Sequence, residues 1–195
     1  MKLKTYSLKF LVLGSLVLPF AAQAFSLTEF FDAGYTAAVG AAPQLPGGLQ
    51  CLADNGQPLP IMNQQVLVWK TSTQDQFMSR ALVSGPIASI FPDRNGHTHF
   101  AINLNDDPAA DLEVVYNEEF GALPPHLSNG MMVIACGDYI TVGPQARLPS
   151  PMGGIIHWVH YNPGTRDGGR HKSGFLIINN QPYGIAPNNR NMSRY

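Results

Sequence analysis

Apolar positions along this chain fall into three regimes: one unbroken run near the start, one stretch spaced for a helix, and a series of short strand-like runs. The unbroken run spans Phe10 to Phe20, with Lys2, Lys4 and Lys9 before it and Ala22-Gln23-Ala24 after it. A basic start, a short apolar centre and a small-x-small ending predict a signal peptide over residues 1–24. The run is shorter than the roughly 20 apolar residues that span a bilayer, and no Cys follows it to carry a lipid. Ser26-Leu-Thr-Glu29 is a capping box ahead of Phe30, Phe31 and Tyr35. It predicts a short helix over 27–39, stopped by Gly40 and Pro43.

After a Pro-, Gly- and Asn-rich loop from Pro43 to Pro60, strand-like runs recur: 66–70, 80–91, 99–104, 112–116, 131–141 and 155–161. Asp93-Arg-Asn-Gly96 and Asn105-Asp-Asp-Pro108 supply turns between the middle runs. A last hairpin, 175–178 to 181–183, is predicted around Asn179-Asn180. The organisation is therefore an N-terminal extension over 25–75 (helix, loop, one strand), a β domain over 76–185 and a polar tail over 186–195. One long Gly-interrupted strand leads a three-strand meander, a loop with weak helix potential follows (117–129), and two strands close the set. That order predicts a mainly β fold, a small five-stranded barrel like the oligonucleotide/oligosaccharide-binding (OB) barrel, with a β-sandwich as the alternative. Gly85 and Gly137 are placed where a strand must turn a barrel corner.

Composition supports this reading: 13% charged residues with 19 Gly and 16 Pro argue against a helical bundle. The formal charge of −1 suggests no anionic partner, but removing the leader changes that. The 171 residues from Phe25 carry nine basic and thirteen acidic side chains, a net −4. From His157 onward the balance is +4, set by Arg166, Arg170, Lys172, Arg190 and Arg194 against Asp167, on a body of −8. A basic end on an acidic body is what a local anion site looks like, although a solvated tail gives the same pattern. Cys51 and Cys136, an even pair in an exported chain, predict one disulfide.

The densest polar cluster runs from Gly153 to Lys172 and holds His157, Trp158, His160, Tyr161, Arg170, His171 and Lys172. On a regular strand Trp158 and His160 share one face while His157 takes the other, so a joint role for both His needs a bulge or a strand end. A second candidate is His97-Thr-His99, whose imidazoles share a strand face, with Asn117-Glu118-Glu119 closing the next strand. Three readings compete. In the first, a phosphodiester is hydrolysed, with His97 or His157 as base, His160 or His171 as acid and Arg170 as oxyanion partner. In the second, the surface binds without catalysis, and Trp158 and Tyr161 stack on bases or sugars while Lys172 holds phosphate. The third is a divalent metal on His and Asp or Asn ligands. Phosphate-cradling loops, serine-hydrolase elbows and zinc-protease motifs are missing from the sequence, which disfavours those chemistries.

The segment Val83 to Phe175 resembles a family of small exported bacterial proteins defined by a domain of unknown function. The resemblance rests on Pro92-Asp93, Gly96-His97, Gly153-Gly154, His157-Trp158, His160, Pro163, Arg170-His171 and Gly174. It implies an OB-like barrel and a shared site of His97, Asn117, His157, His160 and His171, without implying a reaction. The chain departs from the family pattern at Tyr161-Asn162, where the family has His-Asp, and at Tyr116, where it has His. The expectation is an exported protein, periplasmic or extracellular, whose His/Trp/Arg site binds an anionic polymer. Nucleic acid is the first candidate ligand and a glycan or protein the alternative.

Overall fold

A strand of 17 residues, β1 (Met78–Arg94), organises the fold by serving two neighbours in turn. Its first half pairs antiparallel with β4 (Met132–Thr141), from Met78↔Ile140 to Pro86↔Met132. Its second half pairs with β2 (His97–Asn103), from Ile87↔Ile102 to Arg94↔His97. The handover falls at Gly85-Pro86. A Cβ on Gly85 would run into the carbonyl of Asn103, so only glycine lets the two backbones approach there. The computed structural model describes residues 40–143, 145–146, 149–164 and 171–187. The expected leader, the helix over 27–39, Arg166, Arg170 and the tail beyond 187 lie outside the described residues.

β2 continues antiparallel into β3 (Asp111–Asn117), and β3 pairs parallel with β5 (Gly154–His157) at Glu113↔Ile155 and Val114↔Ile156. β5 is antiparallel to β4. The pairings β1–β2–β3–β5–β4 thus return to β1. β6 (Phe175–Ile178) joins β4, and β7 (Gln181–Tyr183) joins β6, giving one sheet of seven strands among the described residues. The last hairpin forms as expected, with Asn179 and Asn180 at φ 46° and 66°, the left-handed pair that a tight two-residue turn requires.

Two expectations are corrected. The run 66–70 is not a strand: it lies inside α1 (Asn63–Ser72). β-branched content suggested a strand, but tertiary contacts win. Val66 enters the main core, and Trp69 packs 5.6 Å from Phe77 and 5.7 Å from Tyr139, ring centre to ring centre. The strand expected over 155–161 stops at His157, because Trp158 adopts φ 51°. The connection over 117–129 contains one 3-10 turn, Glu118–Phe120.

Two cores result. Inward residues of the strands, among them Phe100, Ile102, Val114, Tyr116, Tyr139 and Ile156, fill the larger. Leu82, Cys136, Phe175 and Ile177 face the other way and are covered by Leu45, Leu49 and Cys51 of the loop. Cys51 and Cys136 form the expected disulfide, with Cα atoms 5.6 Å apart. No helix among the described residues is long and apolar enough to cross a membrane.

Candidate functional site

The period of two that sends Phe100, Val114, Tyr116 and Ile156 inward sends His97, His99, Glu113, Val115, Asn117, Ile155 and His157 to the outer face of β2–β3–β5. These outward residues line two adjoining pockets of about 230 and 190 Å³ that share His97 and His157. The first pocket is walled by Val115, Pro149 and Ile155 and edged by Arg94, His99 and Glu113. Asn95-Gly96, at φ 53° and 72°, makes the tight β1–β2 turn that sets Arg94 opposite His97.

Inside the first pocket, the Glu113 carboxylate is almost fully buried and its Oε1 stands 2.8 Å from His99 Nδ1 and 3.3 Å from the Arg94 guanidinium. A carboxylate only accepts, so Nδ1 carries the proton and donates to it. Arg94 also lies 3.4 Å from the same nitrogen, a contact that is no hydrogen bond once Nδ1 holds the proton. His97 follows the same rule: its Nδ1, 3.0 Å from the Asn95 carbonyl, donates there. With Nδ1 so engaged in each ring, Nε2 is the remaining position for proton transfer.

The second pocket depends on the left-handed backbone at Trp158. It ends β5 and lets His157, Trp158 and His160 all reach one cavity, which a regular strand forbids. Of the two ways out of the alternation, a bulge or a strand end, the chain takes the strand end, at His157. The rings then run in series. Centroid separations are 6.4 Å for His99–His97, 6.1 Å for His97–His157 and 4.8 Å for His157–Trp158. They continue at 4.8 Å for Trp158–His171, 5.9 Å for His171–His160 and 3.7 Å for His160–Phe120. Burial, with the neighbouring His97, His160, His171 and His99 adding to it, pushes His157 down to about 4. It is therefore neutral near pH 7.

Of the residues expected from sequence, His97, Asn117, His157, Trp158, His160 and His171 meet in this cleft. Asn117 spends its side-chain oxygen on the Glu119 amide. His160 is buried, stacked on Phe120, with Nδ1 donating to the Tyr161 carbonyl. Two further residues lie elsewhere. Tyr161 packs against the smaller core. Lys172 binds the Ala53 carbonyl and Asp54 on another surface, and Arg170 lies outside the described residues. Glu118 binds Thr98 rather than a histidine. Tyr116, where the family pattern has His, points into the core and donates to the Gly121 carbonyl, its hydroxyl pushed up to about 12 by burial. Sequence reading missed Arg94, Glu113 and Phe120. The usable signal was Glu113, a lone acid inside the apolar run Leu112–Tyr116.

Among the described residues no three His, Cys, Asp or Glu side chains stand together in a way that would hold a metal ion. Comparison with family models, curated proteins and solved structures finds no match to this chain.

Proposed function

We propose that this chain is an exported, OB-like β-barrel domain that binds a nucleic-acid strand along the histidine cleft and cleaves its phosphodiester backbone. The closed cycle of pairings supports the barrel reading. The cleft also occupies the outer face of β2–β3, where OB domains take oligomeric ligands. The signature around His157-Trp158 and His160 supports membership of the exported family described above, and the disulfide suits an oxidising compartment.

The observation that carries the reading is the cleft itself: five imidazoles and Trp158 in unbroken ring contact, with the half-exposed Arg94 guanidinium at one end. Flat rings accept bases, the guanidinium accepts phosphate, and imidazoles transfer protons near neutral pH. The test incubates the chain from Phe25 with labelled single-stranded RNA, single-stranded DNA and glycans, with and without chelator. Salt-dependent binding of nucleic acid is expected; its absence from every nucleic-acid arm overturns the reading. A non-catalytic glycan-binding module is the second reading. It is favoured by the Trp158–His171 and Phe120–His160 stacks, which present a fixed aromatic wall, and the glycan arm decides it.

A further inference from the structure

We propose that the first pocket is a ribonucleolytic centre: His99, positioned by Glu113, is the general base, His97 is the general acid, and RNA is the substrate rather than DNA. The inference rests on the nucleic-acid reading above and deepens it. Its starting point is the Glu113–His99 pair, which the sequence did not announce. A buried carboxylate 2.8 Å from Nδ1 fixes both the tautomer and the ring plane, so Nε2 is held as the proton acceptor. His99 and Glu113 both line the pocket, as do His97 and Arg94. His97, anchored through Nδ1 to the Asn95 carbonyl, keeps Nε2 for proton transfer.

Spacing then selects the chemistry. Two imidazoles that each reach one oxygen of a single phosphoryl group must be close neighbours on one face. The His97 and His99 ring centres are 6.4 Å apart and on the same strand face. A base and an acid straddling one phosphate can act directly on a nucleophile that the substrate already carries, and the ribose 2′-hydroxyl is that nucleophile. His99 Nε2 takes the 2′-OH proton while O2′ bonds to phosphorus. The P–O5′ bond breaks, and O5′ leaves with a proton from the imidazolium form of His97. One product ends in a 2′,3′-cyclic phosphate and the other in a 5′-hydroxyl; solvent exchange then restores both rings. Arg94 faces the non-bridging oxygens, where charge builds. His157, on the far side of His97, neighbours the acid without replacing it.

The experiment uses the chain from Phe25 on matched RNA and DNA oligonucleotides in excess chelator, resolving products by their 3′ ends. RNA cut to 2′,3′-cyclic ends, with DNA bound and intact, is expected. His99→Ala should lower kcat at least about 100-fold, the usual range for a general base, while the exposed His126→Ala leaves it unchanged. Glu113→Gln should lower kcat with KM held. Glu113→Asp, which keeps the carboxylate, should restore part of the lost kcat. Circular dichroism of each variant checks that it folds. Binding of both nucleic acids without cleavage overturns this inference and leaves the binding reading standing. Cutting of DNA as fast as RNA, dependence on added divalent metal, or full activity in folded His99→Ala overturns it too. Failure to bind any nucleic acid overturns both.

Discussion

Replacing Cys51 and Cys136 together by Ala removes the crosslink between the loop and β4, which closes a separation of 85 residues. For a loop of that size, freeing the unfolded chain costs the native state roughly 4.6 kcal/mol. Native-side effects are smaller. Both sulfurs sit in the smaller core, and the Ala variant also gives up the contact of the buried Arg80 guanidinium with Cys136 Sγ at 3.1 Å. The loop also keeps its own anchors: the Leu59 amide on the Cys51 carbonyl, and Lys172 on Ala53 and Asp54. A net loss of about 3–5 kcal/mol is therefore expected. Urea unfolding of the double variant against the oxidised chain measures it, and the freed, more expanded unfolded state should steepen the dependence on urea. A loss under about 1 kcal/mol with an unchanged slope would mean that the loop is not held by the crosslink, and the argument would fall.

Three further outcomes follow from other parts of the fold. Arg80 is buried beside Asp138 at 3.2 Å, and burial lowers its proton affinity while Asp138 raises it. Asp138→Asn should then cost about 3–5 kcal/mol by urea unfolding, whereas Arg80→Met with Asp138→Leu should recover much of the loss. A Cβ at Gly137 would meet the His157 carbonyl and stand 2.8 Å from Val159 Cγ1. Gly137→Ala should lower stability by about 1–3 kcal/mol in the same assay. His157 binds its proton near pH 4 in the fold against 6.5 free. The unfolded chain therefore takes up the proton first, and stability present above pH 6.5 declines as pH falls towards 4. His157→Gln should flatten that part of a thermal-denaturation pH series.

The strands were legible as short apolar, β-branched runs bounded by turn residues, as along His97–Asn103 and Asp111–Asn117, although both faces of each are largely buried at the centre. They were also legible where Asn-Gly or Asn-Asn pairs force a left-handed turn. α1 was not, since five residues such as Val66–Lys70 carry too little period to separate helix from strand, and the contacts of Trp69 decide it. The histidines of the cleft were visible as a cluster. The obstacle of His157 and His160 on opposite faces held only for a continuous strand, and φ at Trp158 removes it. Glu113 could not be assigned to His99 from spacing, because the two meet only through the register of β2 on β3. There His99 faces Val115 and Ala101 faces Glu113, which makes Glu113 a diagonal neighbour that only a long side chain can bring into contact.

The parallel seam between β3 and β5 is closed by just two register positions, Glu113↔Ile155 and Val114↔Ile156. Every other contact in the cycle is longer, so this seam is where the ring of strands should part first under thermal fluctuation. Its location matters, because Glu113 and His99 lie on one side of it and His157 on the other. Opening there would widen the cleft along its length without unfolding β1, β2 or β4. Amides of 154–157 should accordingly exchange with solvent faster than those of 133–139, and a bound strand should slow them.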